Sequence, residues 1–282
     1  MVSCPPRWAQ IERGAFSSSL KSVRLGRIRA FHDRVSVGAQ YQGVLEPGMV
    51  LLAMKANEPT NARWFGMPLT GDDLAVARRR IDVCCTGAGD ILSLQLDHVD
   101  AVQLGVPVAN DDAFLLRSSS ATSRLRSLLG ALFIDGPLPR DRRGNEDALM
   151  ASLSHASLGR RILPGALTPR FLAVRTCETY MREHIDESIS LQDLSEACGF
   201  RPRSLINAFE AFTGVSPMAY LKALRLNGVR KALGAAGRER ARIIDVAMDW
   251  GFEHMGHFAA DYRAMFGERP SETPRARELA VR

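Results

Sequence analysis

The sequence predicts an α+β chain. A β-rich N-terminal domain, built as an antiparallel sandwich or barrel, leads through a helical connection to an all-α C-terminal domain with two helix-turn-helix units joined by a long helix. Three observations predict this. Residues 1–117 alternate short apolar runs with Gly, Pro, Asn and Asp turns, the pattern of an antiparallel sheet protein. Residues 118–170 carry leucines at helical spacing between polar breaks. From 191 to 270 one pattern occurs twice, and such a repeat calls for two copies of one supersecondary unit.

A chain of 282 residues is long enough for two domains. Its 46% hydrophobic and 24% charged residues describe a soluble globular protein, and no apolar run approaches the length of a bilayer span, so no membrane partner is expected. The opening MVSCPPRWAQIERG lacks the continuous apolar core of a secretory signal. Five cysteines, an odd number without framework spacing, fit a reducing compartment. Together these place the chain in the cytoplasm. The adjacent Cys84 and Cys85 are expected as buried, reduced thiols in a strand.

The apolar runs of the N-terminal region are Val23 to Ile28, Val44, Met49 to Met54, Ile81 to Cys85 and Ile91 to Leu96. Between them stand turn sequences: Glu46-Pro47-Gly48, Asn57-Glu58-Pro59, Gly71-Asp72-Asp73 and Gly87-Ala88-Gly89-Asp90. A metal enzyme would need two or three closely placed histidines with a carboxylate. Only His32 and His98 lie here, far apart in sequence. The chain has no phosphate loop, no GxSxG and no paired cysteines at zinc spacing. Asp72-Asp73 and Asp111-Asp112 sit in turn-like sequence, where a turn role is the default. The expectation is therefore no catalysis, no metal and no cofactor. A small-molecule pocket remains open, with Trp64 and Phe65 as candidate walls or as core.

In the connection, Ser118-Ser119-Ser120 precedes Leu125, Leu128, Leu129 and Leu132 at helical spacing. Asp135 to Asn145 reads as a polar loop. A second helix runs through Ala148, Leu149, Leu153 and Leu158, before Pro164-Gly165 and Pro169 break the chain.

In the repeat, Gly199-Phe200 recurs as Gly251-Phe252, 52 residues later. Leu205, Phe209, Gly214 and Pro217 correspond to Phe258, Tyr262, Gly267 and Pro270; Leu194-Ser195 corresponds to Val246-Ala247. In the first copy a short helix with Leu191, Leu194, Ala197 and Cys198 on its apolar side ends at Gly199, which can adopt the left-handed conformation. Leu205, Phe209 and Phe212 then mark a second helix. Ser195 and Ala247 are small, as a close helix crossing requires. A helix-turn-helix of this kind can place its second helix in a DNA major groove. Burying Leu205, Phe209 and Phe212 turns Arg203, Ile206, Asn207 and Glu210 outward. The joining helix spans Pro217 to Leu233, with Ala219, Ala223, Leu226, Val229 and Leu233 as its buried stripe. Gly228 inside it costs roughly 1 kcal/mol against Ala, suggesting a flexible point that alanine would stiffen and stabilise. Net charge is +6. Lys222, Arg225, Arg230, Lys231, Arg238, Arg240 and Arg242, opposed by Glu239 alone, form a basic run; either phosphates pass there or it is a solvated face.

The chain resembles the AraC/XylS class of bacterial transcription regulators over about residues 175 to 275. The residues that carry the resemblance are Leu191, Asp193-Leu194, Leu205, Phe209, Thr213-Gly214, Ser216-Pro217, Tyr220-Leu221, Arg225-Leu226, Asp245, Ala247, Gly251-Phe252, His257-Phe258, Phe266-Gly267 and Pro270. The resemblance implies an AraC-type DNA-binding domain at 171–275, followed by a tail at 276–282. Residues 1–117 would then be a cupin-like sensing or dimerisation domain, and 118–170 a helical region in which the leucine stripe is either a dimer seam or packing against the barrel. The Ala62 to Leu69 stretch, ARWFGMPL, resembles regulators of the ethanolamine-utilisation type. The implied partners are double-stranded promoter DNA, RNA polymerase, a second copy of the chain and a small-molecule effector.

The candidate DNA-facing residues are Arg201, Arg203, Ser204, Ile206, Asn207 and Glu210 in the first unit. In the second they are His254, Met255, Gly256, His257, Ala259, Ala260 and Arg263. The family usually has Ser at Arg201, Arg at Asn207 and Ala260, and Ser at Gly256 and Ala259. A bidentate Arg–guanine contact is worth ~1–3 kcal/mol of discrimination, and Ala260 can make none. Base readout therefore falls to Arg203 and Asn207, with positioning through His254, His257 and Arg263; His257 is equally readable as packing beside Phe258. The alternatives are a constitutive dimeric regulator with a purely structural barrel, or a cupin-type enzyme with an appended helical module.

Overall fold

The computed structural model describes residues 7–57, 60–107, 113–133, 142–163, 169–235 and 243–273. The chain divides into two compact units, Met1–Trp8 with Ser17–Leu167 and Ala9–Phe16 with Thr168–Arg282.

The first unit is β-rich. One sheet runs in the order β1 (Arg7–Gln10), β4 (Ala39–Val44), β9 (Arg80–Thr86), β6 (Asn61–Trp64), β7 (Met67–Leu69). The other runs β12 (Arg160–Ile162), β11 (Ala113–Arg117), β8 (Asp73–Ala77), β5 (Met49–Lys55), β10 (Gly89–Asp97), β3 (Ile28–Val35), β2 (Ser18–Leu25). The register of β10 aligns like with like: Leu94 stands opposite Ala30 on β3 and Leu52 on β5. These residues share one face and one core, as a two-residue side-chain period requires. The expected apolar runs fall in strands, except that Val23 to Ile28 is broken by the turn at Gly26-Arg27 between β2 and β3. ARWFGMPL is the β6–β7 hairpin, with Phe65 at φ 47 and Gly66 at φ 77, the pair of positive values that a two-residue hairpin turn needs.

Among the described residues, three helices belong to this unit: α1 (His98–Gln103), α2 (Ser119–Ala131) and α3 (Arg142–Ser157). Leu125, Leu129, Leu132, Leu149 and Leu153 are buried in one cluster with Leu52, Val76, Leu94 and Phe114 of the sheet. Of the two readings of the leucine stripe, packing is the one realised. The expected polar loop also ends early, because Arg142 to Asn145 are already helical; residues 134–141 and Asp111-Asp112 lie outside the described residues. Asp72-Asp73 does more than turn the chain. Asp73 is fully buried, accepts from Arg117 Nε at 2.7 Å and Nη2 at 3.0 Å, and accepts from Thr70 N and Oγ1. Burial opposes its ionisation, but these donors outweigh that and hold its pKa below the usual carboxylate range. Cys84 and Cys85 are buried and not disulfide-bonded. Trp64 is core, with no exposed surface.

The second unit is helical: α4 (Pro169–Glu183), α5 (Leu191–Cys198), α6 (Pro202–Thr213), α7 (Pro217–Ala235), α8 (Ile243–Asp249) and α9 (Met255–Phe266), closed by a 3-10 turn at Pro270–Glu272. Among the described residues, no helix is long and apolar enough to cross a membrane. Along α7, Ala223, Leu226, Gly228 and Val229 are buried, whereas Ala219, expected in that stripe, is exposed.

Candidate nucleic-acid interface

The first helix pair is α5–α6. Ser190 starts α5 through a capping box: its Oγ accepts from Asp193 N at 3.2 Å while Asp193 Oδ2 accepts from Ser190 N at 2.7 Å, satisfying donors that the first turn leaves orphaned. The bonds from Ser190 hold the Asp193 pKa below its ordinary value. Gly199 ends the helix at φ 70. Pro202 opens α6 and Gly214 ends it at φ 81, the Pro-first, Gly-last arrangement of a cleanly bounded helix. Leu194, Ser195, Leu205 and Phe209 are buried. Phe209 packs edge-on against Tyr220 of α7, with centroids 5.6 Å apart, and Phe171 of α4 against Phe212 at 5.5 Å. Ala197, expected on the apolar side of α5, is exposed.

The second pair is α8–α9. Gly251 (φ 73) turns the chain between them and Gly267 (φ 73) ends α9. Val246 and Ala247 of α8 join Phe258, Tyr262 and Phe266 of α9 and Leu226 and Val229 of α7 in one cluster. Three aromatic rings in series, Phe258, Tyr262 and Phe266, stack edge-on at 5.7 and 4.7 Å. Both pairs are thereby anchored to α7 by the residues that the repeat puts in equivalent positions.

Anchoring those residues sets what faces outward. On α6, Arg203, Ser204, Asn207 and Glu210 are exposed, Arg201 precedes them and is exposed, and Ile206 is half-buried. On α9 and its N-cap, His254, Gly256, His257, Ala259, Ala260 and Arg263 are exposed and Met255 is half-buried. His257 thus lies at the surface, its ring 6.3 Å from that of His254; of its two readings, burial beside Phe258 is not the one adopted. Where α9 lacks polar side chains there is a depression of about 440 Å³ whose lining includes Met255, Ala259, Ala260, Arg263 and Arg269. Arg269 was not among the expected residues, although it occupies the position of Ser216 in the repeat.

The basic run behaves differently from the sequence expectation. Lys222 Nζ bonds Asp261 Oδ2 at 2.8 Å. Arg225 donates to the carbonyls of Ile185, Gly251 and Glu187. Arg230 pairs with Glu268 at 3.1 Å and lies over the Phe266 ring at 4.7 Å. These three cations hold the helical unit together. Lys231 is exposed, and Arg238, Arg240 and Arg242 lie outside the described residues.

In the β-rich unit a depression of about 780 Å³ is lined by polar groups including Ser19, Arg34, Asn57, Thr60 and Asp90, and by neither Trp64 nor Phe65. Asp90 anchors it, accepting from Asn57 Nδ2 at 2.9 Å and meeting His32 Nε2 at 2.5 Å. His32 is therefore a satisfied core histidine.

Two helix pairs, each with an exposed second helix and both packed on one central helix, define a class: a helix-turn-helix protein. Residues 194–276 match the family model described as a helix-turn-helix domain. The XylDLEGF operon transcriptional activator 2 of Pseudomonas putida is 43% identical over 94 residues, 33% of this chain and 60% of that protein. The XylDLEGF operon transcriptional activator of the same organism is 38% identical over 96 residues, 34% of this chain and 30% of that one. The chain thus spans less than two thirds of the length of these relatives. Among solved structures, one described as a probable AraC family transcriptional regulator from Rhodopseudomonas palustris is 38% identical, with 36% of this chain and 94% of that one covered at a TM-score of 0.34. Residues 194–276 thus form a helix-turn-helix domain similar to those of AraC/XylS-type transcriptional regulators.

Proposed function

We propose that this protein binds promoter DNA through two helix-turn-helix units, α5–α6 and α8–α9, and regulates transcription there with RNA polymerase as its partner. The observation that carries the reading is the pair of exposed faces on α6 and α9, each held to α7 by the same buried anchors. Arg203 and Asn207 read bases, because an exposed guanidinium matches a guanine edge and an exposed amide matches adenine, while Ile206 meets a thymine methyl. Arg201, Ser204 and Glu210 flank them. On α9, His254, His257 and Arg263 contact phosphates and fix register, and the surface of Met255, Gly256, Ala259 and Ala260 gives close apolar approach without hydrogen-bonded readout. Residues 171–275 are the DNA-binding domain. The β-rich unit is a cupin-like domain that senses a small effector or pairs two chains, and the depression around Asp90 supports a small effector.

The test is selection of genomic DNA fragments by purified protein at low and at physiological salt. Enrichment of one site with two segments about one helical turn apart, ~10–10.5 bp, is the expected result, with strong base preference only under α6. Binding that vanishes at physiological salt with no fragment enriched would overturn it.

A further inference from the structure

Residues Ala9–Phe16, which begin at the end of β1, cluster with the helical unit. Gln10 is the centre of this strap. It is buried, with 4% exposure, and its backbone is clamped by Asn227 of α7: Gln10 N donates to Asn227 Oδ1 at 3.0 Å and Asn227 Nδ2 donates to Gln10 O at 2.8 Å. Its side-chain Nε2 reaches three carbonyl oxygens, those of Glu12 at 2.8 Å, Gly14 at 2.7 Å and Met265 at 2.6 Å. Gly14 N donates to the same Met265 oxygen at 3.0 Å. Three acceptors fix which end of the amide faces them, since the reversed amide would set oxygen against oxygen.

Met265 lies in the last turn of α9, where the helix leaves its carbonyls without helical partners. The strap supplies two of the missing donors from more than 250 residues away. Through Gln10 it ties the end of α9 to the middle of α7, the helix against which α6 also packs. Ala9 and Ile11 are buried beside it, each 5% exposed.

We infer that residues 9–16 are a working part of the DNA-binding unit, and that Gln10 is a positioning residue which sets how α9 is presented to DNA. The inference rests on the two-unit reading above. It predicts a specific defect, loss of the α9 segment of the site with the α6 segment retained.

The experiment uses the full chain and a duplex carrying the site that the wild-type protein selects. Gln10→Glu keeps the size of the side chain but faces an oxygen toward three carbonyls; Gln10→Ala removes the donor without adding charge. For both, affinity should fall roughly tenfold, the scale of one lost buried hydrogen-bonding group. Hydroxyl-radical protection should disappear under α9 and persist under α6, and base preference at the α6 segment should be unchanged. Unaltered affinity and protection overturn the inference. Equal loss at both segments, together with a lowered melting transition, also overturns it by making the strap a general folding element. A wild-type chain that selects no DNA overturns the two-unit reading itself, a result distinguishable from either.

Discussion

The ring of Trp250 fills the space in which a side chain at Gly228 would stand: a Cβ placed there would lie well inside van der Waals contact with the six-membered edge of the indole. Gly228 is buried in α7, and Trp250 follows α8, so this contact seats the second helix pair on the joining helix. The glycine is there for close approach and not for flexing, which reverses the sequence expectation for Gly228→Ala. Helix propensity would favour alanine by roughly 1 kcal/mol, whereas overpacking a filled site costs about 1–3 kcal/mol. The second effect is the larger. Gly228→Ala should lower the melting temperature of the helical unit, and calorimetry checks it.

The two repeat glycines differ in the same way. Both hold positive φ, 70 at Gly199 and 73 at Gly251, a conformation that costs an ordinary L residue about 1–2 kcal/mol. Around Gly199 a Cβ would meet open space. At Gly251 it would stand 2.8 Å from Arg225 Cζ and 3.0 Å from the Ile185 carbonyl, breaking the set of bonds by which Arg225 joins α7 to the rest of the unit. Gly251→Ala should therefore destabilise distinctly more than Gly199→Ala in chemical denaturation, and equal losses would show that Arg225 yields without cost.

The helix pairs are legible in sequence because their determinants are local. Leu205 and Phe209 are four residues apart on one face, and Gly199, Gly214, Gly251 and Gly267 each occupy a left-handed turn position. The longer strands are legible for the same reason. What escapes is what depends on distant partners. Lys222, Arg225 and Arg230 read as a phosphate track or a solvated face because Asp261, the Gly251 carbonyl and Glu268 are 26 to 39 residues away. Gly228 reads as a weak point because Trp250 lies outside its helix. Nothing near Gln10 indicates Asn227 or Met265, and Arg142-Arg143-Gly144-Asn145 reads as loop although it starts α3. The outward faces of α6 and α9 follow from local periodicity, but the depression bounded by Arg269 needs the fold.

Asn207 and Arg263 separate reading from positioning. Both are exposed, one in the middle of α6 and the other in the last turns of α9. Asn207→Ala should relax preference at one base pair of the selected site, at a cost of ~1–3 kcal/mol on the preferred sequence alone. Arg263→Ala should weaken binding evenly across sequences and reduce the salt slope of log K by roughly 0.9. Titrations over a salt series on selected and scrambled duplexes check both.

Two carboxylates of the β-rich unit should act on stability with opposite signs. Asp33 on β3 is half-buried, and burial raises its pKa to about 6, above the ordinary value of roughly 3.9. The folded state therefore binds this proton more tightly than the unfolded one. The resulting stabilisation is complete below the unfolded value and is lost as pH rises through about 6. Tyr41 reports the same environment, since burial and then the charge of Asp33 push its pKa to about 12. Asp73 does the reverse: with its folded pKa depressed, its contribution is present above the unfolded value and disappears as pH falls below it. The melting temperature of the β-rich unit should accordingly rise from pH 7 to about pH 5 and fall again in stronger acid, below roughly pH 4. Asp33→Asn should raise the melting temperature at pH 7 and flatten the arm between pH 4 and 7 while leaving the acid arm in place. Arg117→Ala should weaken the acid arm and leave the other. A melting temperature that declines steadily from pH 7 downward in the wild-type chain would show that Asp33 ionises freely in the folded protein.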